Sequence, residues 1–155
     1  MNEMLVLDAS VVAKWYLNDE KLIEKAEEFL IRILAGQIEA HAPEILRYEL
    51  GHLLTKAQRQ PQRPIDPAQS EEVYREFCLL PITFHQLDDT ERQEVLAFAN
   101  TFRRGFYDSS YVWLAGHLGC RWLTSEQRYG GKLPLDYPTQ RILTLESYKQ
   151  SSRRT

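Results

Sequence analysis

A chain of 155 residues, 43% apolar and 26% charged, has the makeup of an ordinary compact protein, which sets aside disorder, collagen-like and repeat architectures. Its length suits one domain, whose core buries roughly two-thirds of the surface that the unfolded chain exposes. The formal net charge of −3 neither supports nor excludes a nucleic-acid partner, because a local basic rim can coexist with an acidic centre.

The first predicted element is the strand MLVL, an unbroken apolar run of the kind covered on both faces in a parallel sheet. Ser10 is expected to cap a short helix reaching about Leu17, and a second helix runs from about Lys21 to Ala35, with Leu22, Ala26, Phe29, Leu30 and Ile33 at helical spacing and Gly36 as its stop. IEAHAP reads as a strand. Pro43 is expected to start the next helix, whose apolar stripe is Leu46, Leu50, Leu53 and Ala57. Pro61, Pro64 and Pro67 break the chain in a loop rather than a domain linker, since neither half alone has strands enough for a sheet. A helix from about Ala68 to Leu79 follows, then a strand near LPITFH, and a helix opened by Asp88 or Asp89 that reaches about Phe102. The remaining elements are a helix from about Ser109 to Leu118, a strand at CRWL, a short helix after Thr124 and a last strand at RILTL. Strands alternating with helices throughout predict an α/β fold with a mainly parallel central sheet and helices on both faces.

Cys78 and Cys120 stand alone, without C-x-x-C spacing, so a zinc site or disulfide framework is not expected and a reducing compartment fits. The amino terminus has no basic, then apolar, leader pattern, and no later run approaches the roughly 18 apolar residues that span a bilayer. A cytoplasmic protein without a membrane partner is therefore expected.

In a parallel sheet, ligands bind beyond the carboxyl ends of the strands, and Asp8 directly follows the first of them. Alone, it reads equally as a helix cap. Glu49 lies about 60° from Leu46 on its helix, on the flank of the apolar stripe rather than opposite it. Its bland reading is a surface glutamate whose stem covers apolar neighbours. Asp108 extends the stripe of Tyr111, Val112 and Ala115 back by one turn, and Glu126 follows CRWL closely, where a first-turn acid also suits the helix dipole. Taken together, the four acids fit one crevice, where like charges repel by up to about 4 kcal/mol per close pair at an effective dielectric near 20. A divalent cation resolves that conflict. Carboxylate ligands suit Mg²⁺ or Mn²⁺, whereas zinc is usually held by His or Cys, and His41, His52, His85 and His117 show no ligand spacing.

LVLDASVVAKWYLNDE, APEILRYELGHLL, GFYDSSYVWLAGHLGCRWLTSEQRY and RILTL together resemble the PIN-domain ribonucleases, and especially the VapC-like toxins of bacterial toxin–antitoxin pairs. The resemblance covers nearly the whole chain, so a PIN-like three-layer domain is expected over residues 1–146, with a charged tail over 147–155. It maps the family's first three acids onto Asp8, Glu49 and Asp108, and the fourth, usually an aspartate, onto Glu126; Ser10 matches a hydroxyl that supports the first. It implies hydrolysis of RNA phosphodiesters with Mg²⁺ or Mn²⁺, with Asp8 and Asp108 as principal ligands and Glu49 and Glu126 ligating directly or through water. It implies a cognate antitoxin and a homodimer as well. Arg103, Arg104, Arg121, Arg128 and Lys132 flank the acids and read as either phosphate contacts or a solvated face.

Other classes fit less well. An aspartyl-phosphate phosphatase wants D-x-D where the chain has Asp8-Ala9-Ser10, and no glycine-rich nucleotide loop is present. A non-catalytic PIN-like module that binds RNA or protein remains the alternative, and metal-dependent cleavage separates the two.

Overall fold

The computed structural model describes residues 2–17, 21–61 and 65–150. Strand β1 (Glu3–Leu7) is followed by helices α1 (Ala9–Tyr16) and α2 (Ile23–Leu34), strand β2 (Ile38–Pro43), helices α3 (Ile45–Ala57) and α4 (Pro67–Cys78), and strand β3 (Ile82–His85). Helices α5 (Asp89–Phe102) and α6 (Phe106–Leu118) precede strands β4 (Arg121–Thr124) and β5 (Ile142–Thr144), which are separated by two short 3-10 helices, Gln127–Gly130 and Thr139–Arg141.

The five strands form one sheet in the order β3-β2-β1-β4-β5, and every neighbouring pair is parallel. Leu5, Val6 and Leu7 of β1 are fully buried, which requires cover on both faces of the sheet and explains the unbroken apolar run. Helices α1, α2 and α3 pack together, while α5 packs on α6 and α6 lies against β1, β2 and β4. After β1 the chain moves to β2 and β3 on one side, and later to β4 and β5 on the other. The strand order therefore reverses at β1, which opens a crevice beyond the carboxyl ends of β1 and β4.

Local signals account for most boundaries. Asp66 and Asp88 each accept a hydrogen bond from the backbone N–H three residues on, within complete capping boxes. Gly36 and Gly119 take positive φ, 75° and 70°, where α2 and α6 end. Among the described residues no helix is long and apolar enough to cross a membrane.

Several expectations are corrected. Pro43 ends β2 instead of starting α3; the β1–β2 register stops at Val6↔His41, so a residue without an N–H lies beyond that ladder. Helix α1 begins at Ala9 with Asp8 as its N-cap residue, and Ser10 is inside its first turn. The buried stripe of α3 uses Leu54 in place of Leu53. Helix α6 starts three residues early, with Gly105 at its N-cap, so Asp108 is a first-turn residue and not a cap. The histidines also pair where none was foreseen: the His41 and His85 ring nitrogens lie 2.8 Å apart, and the other His41 nitrogen meets Glu39 at 2.9 Å.

Candidate active site

Asp8 continues β1 by one residue, its N–H donating to the Leu123 carbonyl of β4 at 3.0 Å. Its side chain makes no cap bond and is 4% exposed. Two hydroxyls hold it instead: Ser10 Oγ donates to Oδ2 at 2.5 Å and Thr124 Oγ1 to the same atom at 2.8 Å. The network continues across the crevice, with the Ser125 N–H donating to Ser10 Oγ and the Glu126 N–H to Thr124 Oγ1, each at 3.1 Å. The capping explanation of Asp8 therefore fails. The carboxylate is the centre of a web that ties the end of β1 to the end of β4.

Glu49, Asp108 and Glu126 line the same cleft as Asp8 and Ser10, a cavity of about 630 Å³ beyond those strand ends. Glu49 projects from α3 with its Oε1 buried and without a hydrogen-bond partner. Asp108 enters from the first turn of α6, where the Tyr129 hydroxyl donates to its Oδ2 at 2.9 Å and the Arg128 guanidinium pairs closely with the same atom. Glu126, nearly half exposed, is 3.9 Å from Arg128 Nε. The cleft thus gathers all four acids named from sequence.

Burial raises the Asp8 carboxyl from 3.8 to about 7; the Ser10 and Thr124 hydroxyls oppose the rise, and the charges of Glu49 and Asp108 add to it. Glu49 is raised as well, chiefly by burial, with the Tyr111 hydroxyl opposing and Asp108 and Glu126 adding. Tyr111 approaches Glu49 without the geometry of a hydrogen bond, so its buried hydroxyl also lacks a partner. Crowded, partly dehydrated carboxylates of this kind favour a neutralising cation. The donor chemistry, all oxygen, suits Mg²⁺ or Mn²⁺. Among the described residues, however, no three His, Cys, Asp or Glu side chains already form a group that could hold an ion. Arg128 acts as the internal counter-ion of Asp108, so an arriving cation and Arg128 would compete for one oxygen.

Thr124, Tyr129 and Tyr111 carry weight here that periodicity did not assign to them. Thr124 had one available signal, its place at the carboxyl end of a strand beside β1. Tyr111 read only as part of an apolar stripe and Tyr129 had no reading of its own; both are core, where Trp122 stacks on Tyr111 with ring centres 5.8 Å apart and meets Tyr129 edge-on at 4.8 Å.

A model of the PIN domain family matches residues 5–130. The chain is 31% identical over 134 residues to Ribonuclease VapC3 of Pyrobaculum aerophilum, a match covering 84% of this chain and 95% of that one. Among solved structures it is similar in fold to one of VapBC2 from Rickettsia felis bound to a DNA fragment from their promoter, with a TM-score of 0.62, 12% identity, and 91% and 98% of the two chains covered. A toxin–antitoxin complex from Klebsiella pneumoniae gives a TM-score of 0.61 at 11% identity, covering 91% of this chain and 97% of the other.

Proposed function

The chain belongs to the PIN domain family, and from that premise we propose that it is a metal-dependent endoribonuclease, the toxin of a toxin–antitoxin pair, hydrolysing RNA phosphodiester bonds in the cytoplasm. The observation that carries this reading is the convergence of Asp8, Glu49, Asp108 and Glu126 on one cleft, with an unpartnered Glu49 oxygen buried in it. The ribonuclease name of the 31% identical relative supports the reaction class. Solved toxin–antitoxin complexes of the same fold support a cognate antitoxin as partner, and a homodimer completes the reading.

Asp8 and Asp108 are the principal metal-holding residues in this reading, with Glu49 and Glu126 ligating directly or through water. When bound, Mg²⁺ or Mn²⁺ supplies positive charge to the scissile phosphate and makes water a better nucleophile. The chain's own contribution is orientation. Ser10 and Thr124 both donate to Asp8 Oδ2, which fixes the plane of the carboxylate and leaves Oδ1 free of those bonds. Tyr129 orients Asp108 in the same manner. Arg128, more than half exposed beside the acids, offers a planar guanidinium suited to phosphate oxygens.

The test is to incubate RNA with the wild-type chain, Asp8→Asn and Asp108→Asn, in Mg²⁺, in Mn²⁺ and in chelator, and to sequence the ends produced. Wild type should cut only with the divalent ion. Each substitution should abolish cutting while leaving the circular dichroism spectrum unchanged; wild-type rates in either variant would remove the site assignment. The ion pair between Arg128 and Asp108 favours a second reading, a PIN-like module that binds RNA or protein without cleaving it. Retained binding with intact RNA under every condition would select that one.

A further inference from the structure

Two of the most exposed large hydrophobic side chains in the described protein stand at the acidic cleft. Tyr48 is 72% exposed and Tyr107 60% exposed, and both line the cavity that holds the acids. Each immediately precedes one of those acids, Tyr48 before Glu49 on α3 and Tyr107 before Asp108 on α6. Successive helical residues are about 100° apart, so an acid turned into a cleft leaves its predecessor at the rim. Phe106 meets Tyr107 edge-on, ring centres 6.2 Å apart, and braces it.

We propose that Tyr48 and Tyr107 are stacking platforms for unpaired RNA bases on either side of the scissile phosphate. The inference rests on the ribonuclease reading above and deepens it. The cleft is lined by four carboxylates, so attraction for phosphate there falls to a bound cation and to Arg128, and neither of these holds the bases. Stacking on an aromatic ring needs no opposite charge and accepts any base, because every base has a flat face. It also selects the strand. In a duplex those faces are already stacked on their neighbours, whereas loops and single strands can splay a base onto a side chain.

The experiment measures binding by fluorescence anisotropy, using the Asp8→Asn chain so that the strand stays whole, with three labelled probes: a single-stranded oligoribonucleotide, the same strand with abasic positions, and a blunt duplex of the same length. Tyr48→Ala and Tyr107→Ala should each weaken single-strand binding about tenfold, without changing its salt dependence. Tyr48→Phe and Tyr107→Phe, which keep the ring, should recover most of that loss. The abasic strand should bind weakly to the parent chain and lose little more in the Ala variants. Leu79→Ala, removing a still more exposed apolar side chain outside the cleft, should change nothing. Ala variants that bind like the parent, a duplex bound as tightly as the single strand, or no single-strand binding at all would overturn the inference and leave the two rings to a protein partner. Because binding is read without cleavage, a wild-type chain that cuts no RNA would end the enzymatic reading while leaving this one standing.

Discussion

Asp8 occupies a position that destabilises the protein when no cation is bound. Burial pushes its carboxyl up from the ordinary 3.8 to about 7 in the folded chain. A raised folded value means that the native state keeps its proton while the unfolded chain gives it up. The contribution is therefore neutral below about pH 4, and stability falls as pH rises toward 7, by about 4 kcal/mol in all from the pKa difference. Asp8→Asn lacks this titration. In chelator, the variant should be little different from wild type at pH 4 and clearly more stable at pH 8, as read from urea midpoints. A gap that does not change with pH would show that Asp8 is not the buried acid described here. At this scale much of the site was readable from sequence: Asp8, Glu49, Asp108 and Glu126 could be named, two of them from a strand end and two from an apolar stripe. The pairing of Arg128 with Asp108 could not, because it joins residues 20 positions apart through a turn that periodicity does not describe.

Among the elements, β4 and the 3-10 helix after it do most to shape the site. Thr124 reaches Asp8, Glu126 lines the cleft, and Arg128 and Tyr129 meet Asp108, four contributions from residues 124–129 alone. Trp122 anchors this segment from below. It is fully buried, stacked on the Tyr111 ring and edge-on to the Tyr129 ring, whose hydroxyl donates to Asp108. Trp122→Ala should cost about 3–5 kcal/mol as a large-to-small core change, measured by urea unfolding, and should also lower cleavage in the molecules that remain folded. Trp122→Phe, which keeps an aromatic ring and removes a buried N–H that has no partner, should cost much less. An equal cost for both would mean that indole packing is not what holds the segment. The alternation of strands and helices was legible because both-face burial leaves unbroken apolar runs such as LVL. Boundaries set by tertiary contacts were less so. The early start of α6 puts Phe106 and Tyr107 in a helix that sequence opened at Ser109, and the ending of β2 at Pro43 depends on where its neighbour's register stops.

At the scale of the whole molecule, the acids belong to segments distant in sequence that only the completed sheet brings together: the end of β1, the middle of α3, the start of α6 and the turn after β4. A cation held by all four would bind the folded state and have little affinity for the unfolded chain. Folding and binding are then linked by mass action, and a divalent ion at 100 times its dissociation constant adds about 2.7 kcal/mol. For a chain of this size that corresponds to a rise in melting temperature of roughly 5–10 °C. Wild-type protein should show the rise in Mg²⁺ or Mn²⁺, and Asp8→Asn should show much less of it. Arg128→Gln gives the sharper comparison. It removes the cation that already occupies Asp108, so the same ion concentration should fill more of the site and the rise should exceed that of wild type. Scanning calorimetry across a Mn²⁺ titration would rank the three chains as Arg128→Gln above wild type above Asp8→Asn. Equal shifts in all three would reduce the effect to non-specific screening and leave the four acids without a metal to hold.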